Sequence, residues 1–102
     1  MHPLILENRS QIEQLCRRFG VVRLELFGSA AIGEYEENKS DFDFLVDFKL
    51  SESIKALDAY FGLKEGLEGL LGRPVDLVMP SALRNPYIQA QVDHQRRPVY
   101  EA

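Results

Sequence analysis

Hydrophobic positions along the chain change period from block to block. Residues 10–20 repeat with the helical period: Ile12, Leu15, Cys16 and Phe19 fall on one face, Ser10 and Glu13 are spaced for a capping box, and Gly20 is a natural stop. The next run, "VVRLELF", alternates, with Leu24 and Leu26 on one side of a predicted strand and Arg23 and Glu25 on the other. Gly28-Ser29 ends that strand, "SAAIG" predicts a short helical turn, and "EYEENKS" reads as a polar loop. Strict alternation returns in "DFDFLVDF": Phe42, Phe44, Val46 and Phe48 share one face, while Asp41, Asp43 and Leu45 share the other. Residues 51–71 predict a long amphipathic helix carrying Ile54, Leu57, Phe61, Leu67, Leu70 and Leu71, weakened by Gly62, Gly66 and Gly69, which leaves room for a kink or break. Gly72-Arg73-Pro74 terminates it. "VDLVM" is a third strand, with Val75, Leu77 and Met79 opposite Asp76 and Val78. Residues 86–95 read as helix, and "RRPVYEA" closes the chain without an element of its own. This order predicts an α/β or α+β sandwich built on a short sheet.

Composition narrows the setting. A chain of 102 residues is expected to form one domain, residues 1–102, with one ordinary core. Its 45% hydrophobic and 27% charged content are those of a folded, soluble protein. A net charge of −4 argues against direct nucleic-acid binding through bulk positive charge. It leaves room for a basic protein partner, or for a polyanionic ligand whose charge metal ions offset. The single cysteine, Cys16, excludes an internal disulfide and fits a reducing cytoplasm, and no Cys/His cluster suggests zinc. "MHPLILENRS" lacks the basic start of a secretory signal, and no apolar run nears the roughly 20 residues that span a bilayer. A cytoplasmic protein is expected.

The candidate chemistry lies in three carboxylates on strands that are otherwise apolar. An aspartate that leaves water must be paired or metal-bound, or it costs several kcal/mol. Asp41 and Asp43 point the same way, about 6.5–7 Å apart at Cα. Carboxylates so spaced can bridge a pair of hard divalent cations, which sit about 3.5–4 Å apart in two-metal phosphoryl-transfer sites. Asp76 has the same character, and it joins them if the third strand neighbours the second in the sheet. Such an oxygen set suits Mg²⁺, which commonly takes one or two carboxylates plus substrate phosphates. Gly28 lets the backbone approach a ligand closely, and Ser29, opening a helical turn, offers a hydroxyl and exposed N–H groups to phosphate oxygens. Taken singly, each feature is ordinary: Gly-Ser is a common turn, Asp-x-Asp is usually solvated or capping, and Asp76 could face water from an edge strand. Together, in this order, they describe a site for a nucleoside triphosphate. Asp47, on the same face but near the strand end, reads as solvent-exposed; His2 and His94 carry no assigned role, and Cys16 reads as core.

These residues resemble the minimal nucleotidyltransferase (MNT) domains of the polymerase-beta-like nucleotidyltransferase superfamily. The likeness runs through "LFGSAAIG", "SDFDFLVDF", "GRPVDLV" and the tail "NPYIQAQVDHQRRPVYEA", nearly the whole chain. It implies a nucleotidyltransferase fold, a mixed sheet flanked by helices. It implies that Gly28 and Ser29 grip phosphates, that Asp41 and Asp43 hold both of two Mg²⁺ ions, and that Asp76 holds the ion activating the attacking hydroxyl. It also implies transfer of a nucleoside monophosphate from a nucleoside triphosphate, ATP above all, with release of pyrophosphate. Stand-alone MNT proteins of this size are similar to antitoxins whose partner is a helical HEPN-type ribonuclease toxin, some of which AMPylate a tyrosine on it within a hetero-oligomer. The alternative is a catalytically silent MNT fold that neutralises its partner by binding alone. Two departures bear on that choice. Ile32 stands where the family often has arginine, and eleven residues separate Ser29 from Asp41, one more than the common spacing.

Overall fold

The computed structural model describes residues 2–28, 31, 41–49, 55–79 and 86–102. In chain order these form α1 (Pro3–Glu7), α2 (Arg9–Arg18), β1 (Val21–Phe27), β2 (Phe42–Phe48), α3 (Ala56–Leu71), β3 (Val75–Val78), α4 (Pro86–Gln95) and β4 (Arg97–Glu101). The strands make one sheet in the order β3-β2-β1-β4. β1 runs antiparallel to β2 and β4, whereas β2 and β3 are parallel, a pairing that requires a crossover. α3 provides it. The expected mixed sheet flanked by helices is therefore what the chain forms.

Alternation decides which face of the sheet is covered. Leu24, Leu26, Phe42, Phe44 and Val46 are fully buried against Ile12 and Cys16 of α2 and Leu63 and Leu67 of α3. Each such side chain contributes roughly 1.5–3 kcal/mol by leaving water. Burial also pushes the Cys16 thiol up to about 12, with the Glu13 carboxylate adding to the rise and Arg17 opposing it, so this cysteine is core, as the sequence reading has it.

Several boundaries differ from expectation. The short helix α1 precedes the first expected one; His2 caps it, its Nδ1 accepting from the Leu4 N–H at 3.1 Å. Helix α2 therefore starts at Arg9 with Asn8 as its cap, and Ser10 lies inside it, so the Ser10–Glu13 capping box does not form. Helix α3 shows no break between Ala56 and Leu71. Two of its three glycines serve packing: a Cβ on Gly62 would stand 2.4 Å from Cε1 of Phe19, and one on Gly66 would stand 2.9 Å from Cδ2 of Leu15. The absent side chains let α2 lie close. The buried stripe of α3 is Ala59, Leu63, Leu67 and Leu71, whereas Leu57 and Phe61, expected inside, are 70% and 52% exposed. Ile54 lies outside the described residues. Gly72 ends α3 in the left-handed region at φ 69°, its N–H donating to the Glu68 carbonyl at 2.8 Å. The tail forms β4, antiparallel to β1. No helix among the described residues is long and apolar enough to cross a membrane.

Candidate active site

The second face of the sheet carries the candidate chemistry. Parallel pairing of β2 with β3 places Asp43 directly beside Asp76, as register partners. Neighbouring strands lie about 4.8 Å apart, so the two carboxylates rise from adjacent positions on one face. Asp41 precedes β2 on the same alternation and is exposed, as is Asp76, while Asp43 is half-buried. The condition the sequence left open, that the third strand neighbour the second, is met.

Gly28 stands on the other side of Asp43. Phe27 pairs with Asp43 across β1 and β2, and the chain leaves β1 through Gly28 at φ 76°. An ideal Cβ at this position would lie 2.8 Å from Oδ2 of Asp43. Only glycine both adopts that backbone angle without strain and leaves the carboxylate its place. The Ala31 N–H donates to the Gly28 carbonyl at 3.1 Å just beyond the strand's end. Ser29, the other expected phosphate-binding residue, lies outside the described residues, as do Ile32 and the acidic loop of residues 34–37.

Electrostatics tie the three carboxylates together. The Asp43 carboxyl is raised above its ordinary value, first by burial, then by the negative charges of Asp76 and Asp41. Among the described residues no lysine, arginine or histidine lies within ion-pair distance of any of the three. Nor do three acidic, imidazole or thiol groups among the described residues close tightly enough to enclose an ion unaided. A hard cation that keeps waters and takes phosphate oxygens needs only one or two carboxylates, and the adjacent Asp43–Asp76 pair offers two. The donor set thus fits Mg²⁺ held jointly with a phosphate.

Other residues hold this arrangement without having been legible as doing so. β3 is an edge strand, and two α3 side chains fasten it: the Val75 N–H donates to Oε2 of Glu68 at 3.3 Å, and the Tyr60 hydroxyl donates to the Leu77 carbonyl at 3.1 Å. The Phe42 N–H donates to the Pro74 carbonyl at 3.1 Å, fixing the start of both strands. Below the Asp43 rung, Glu25 pairs with Leu45, and Glu25 is 6% exposed although strand alternation gives it only as polar. Its carboxylate lies 3.4 Å from Nε of Arg96 and 3.9 Å from Nε of Arg23. Nothing near Arg96 in the sequence signals that partnership. Asp47 is exposed, as expected.

Known proteins are similar to this chain in sequence and in fold. The family profile described as nucleotidyltransferase domain matches residues 9–99. The chain is 48% identical over 73 residues to the protein adenylyltransferase MntA of Thermococcus cleftensis, covering 72% of this chain and 70% of that protein. Among solved structures, one assigned as a minimal nucleotidyltransferase superposes with a TM-score of 0.74 at 40% identity, covering 96% of each chain. A chain of a toxin–antitoxin complex with AMP-PNP gives 0.68 at 26% identity, over 93% of this chain and 74% of that one. The fold also recurs in the complex of an AMPylated HEPN toxin with an MNT antitoxin from Shewanella oneidensis, with a TM-score of 0.63 at 22% identity over 96% and 73% of the two chains.

Proposed function

The chain belongs to the nucleotidyltransferase domain family, and on that premise we propose that it moves AMP from ATP onto a tyrosine hydroxyl of a HEPN-type toxin, in a Mg²⁺-dependent reaction that makes it an antitoxin. The observation that carries this reading is the Asp43–Asp76 rung facing the glycine turn at Gly28. The names of its relatives, an adenylyltransferase and members of toxin–antitoxin complexes, supply the donor and the partner class.

On this reading Gly28 and Ser29 receive the β- and γ-phosphates on the β1 side, and Asp41, Asp43 and Asp76 hold two Mg²⁺ ions. When bound, those ions polarise the α-phosphate, lower the hydroxyl's pKa and offset the charge of the departing pyrophosphate. Asp43 lies between the phosphate turn and the outer strand, so it fixes where the reacting phosphorus rests. Asp76, exposed on edge strand β3, faces the side from which a partner's hydroxyl approaches. The tyrosine oxygen bonds to the α-phosphorus, the bond to the bridging oxygen of pyrophosphate breaks, and the hydroxyl proton passes to solvent or to the carboxylate cluster. Residues 1–102 act as one domain, in the cytoplasm and within a hetero-oligomer.

Incubation with ATP labelled at the α-phosphate, Mg²⁺ and the product of the adjacent gene tests this directly. The expected result is a labelled partner with the wild type and none with Asp41→Asn/Asp43→Asn. Equal labelling by the variant, or no labelling at all, contradicts the reading. Neutralisation of the toxin by the double variant would instead support the alternative of a silent binding module.

A further inference from the structure

We infer that the nucleoside of the donor sits in the cleft between α4 and the sheet, with an adenine base read by Gln89 and Asp93 over Leu45; this rests on the nucleotidyltransferase reading above and extends it. The cleft has a volume of about 230 Å³. Arg23, Glu25, Leu45 and Asp47 line it from the sheet, and Gln89, Asp93 and Arg96 from the side of α4. Complete small-molecule pockets run to about 300–1,000 Å³, so this hollow suits part of a nucleotide, with the phosphates lying outside it.

Position is the first argument. Leu45 is two residues beyond Asp43 on the same face, about 6.5–7 Å along the strand, and the Glu25–Leu45 rung adjoins the Phe27–Asp43 rung. Direction is the second. Gly28 on the β1 side and Asp76 on β3 flank Asp43 across the strands. In an in-line displacement the leaving pyrophosphate and the attacking oxygen lie on opposite sides of phosphorus, which takes up that cross-strand axis. The remaining arm, the 5′-oxygen and its nucleoside, projects perpendicular to it. Along the strands, over the sheet face, that direction leads from Asp43 towards Leu45 and this cleft.

Chemistry is the third argument. A helix laid over a sheet usually excludes water with apolar side chains. Here the interface instead keeps a nearly buried Glu25, held by Arg96 and Arg23, while Arg96 also pairs with Asp93 at 3.2 Å. Such a network is costly to desolvate and is stable only while its groups remain paired. It gives the cleft fixed donors and acceptors around the apolar side chain of Leu45. A glutamine amide matches the donor–acceptor edge of adenine, and a carboxylate accepts from its exocyclic amine. The carbonyl that guanine carries at the same position would face the Asp93 carboxylate and be repelled.

Nuclear magnetic resonance and calorimetry on the full chain separate the arms of this inference. The probes are the Mg²⁺ complexes of inorganic tripolyphosphate, of the α,β-methylene analogue of ATP and of its GTP counterpart. Both tripolyphosphate and the ATP analogue are expected to bind the wild type. Amide shifts at Leu45, Gln89, Asp93 and Arg96 should appear with the nucleotide and not with tripolyphosphate, and the GTP analogue should bind more weakly. Gln89→Trp, which fills the cleft from an exposed helix position, should weaken the ATP analogue about tenfold or more and leave tripolyphosphate unchanged. Gln89→Ala should move affinity the same way by a smaller factor, which guards against a folding defect in the larger substitution. Unshifted cleft amides, or variants that bind the ATP analogue like wild type, overturn the inference while leaving the phosphate and metal site standing. A Gln89→Trp chain with unchanged nucleotide affinity but a raised KM for the protein acceptor would make the cleft an acceptor groove, again overturning it. Failure of the wild type to bind either Mg²⁺ complex would refute the underlying nucleotidyltransferase reading.

Discussion

Gly28 and Asp43 form the smallest unit on which the account depends. The glycine's φ of 76° and the 2.8 Å approach of Asp43 Oδ2 to its missing Cβ exclude a side chain twice over. Gly28→Ala is therefore expected to lower stability by about 1–2 kcal/mol and to cut transfer activity by on the order of 10²-fold, because the carboxylate is displaced. Urea melts and label transfer measure the two effects. Asp43 yields a pH prediction. Its folded-state pKa is raised by burial and by Asp76 and Asp41, so the folded chain holds the proton more tightly than the unfolded one. That contribution is fully present below the unfolded value near 3.8 and is lost as pH rises through the raised folded value. In metal-free buffer Asp43→Asn should thus gain Tm over the wild type as pH rises towards neutral, while losing activity. Added Mg²⁺ should raise the Tm of the wild type more than that of the variant. A wild type equal to or more stable than the variant at neutral pH without metal would show that the cluster carries no such penalty.

At the scale of elements, what a sequence discloses depends on whether the constraint is local. β1, β2 and β3 were legible because alternation is written within each strand, and the common face of Asp43 and Asp76 followed once their strands were neighbours. The inward stripe of α3 was legible at Leu67 and Leu71, which are buried as expected, but not in its first half, because two contact positions are glycines, Gly62 and Gly66, whose role is set by Phe19 and Leu15 at α2. With those positions silent, Leu57 and Phe61 read as core although both face solvent. β4 escaped for a similar reason: it is five residues long, contains Pro98, and owes its strand character to pairing with β1. The burial of Glu25 depends on Arg96, which is remote in sequence. The glycines of α3 make contrasting predictions. Gly62→Ala improves helix propensity but forces a Cβ to 2.4 Å from the Phe19 ring, and should destabilise by about 1–3 kcal/mol. Gly69→Ala meets nothing within 4 Å and should stabilise by about 0.5–1 kcal/mol. Thermal melts of the two variants should move in opposite directions.

At the scale of the whole molecule, the sheet is two-sided. One face is closed by α2 and α3 around Phe42 and Phe44, and that closure holds β2 and β3 rigid enough to present carboxylates on the other. The fastening of β3 by Tyr60 and Glu68 matters because edge strand β3 carries Asp76. Loss of the Glu68 contact in Glu68→Ala should loosen β3, seen as faster amide exchange at Val75, and reduce transfer rate more than nucleotide affinity. Unchanged exchange there would deny the residue its positioning role. The most direct test of the central claim is intact-mass spectrometry of the toxin partner after co-expression. With the wild-type chain the partner should gain the mass of adenylyl groups, located to tyrosine by fragmentation. With Asp76→Asn, folded and still bound to it, the partner should remain unmodified. A partner that is neutralised yet unmodified by the wild type, or equally modified by the Asp76→Asn variant, would contradict the account.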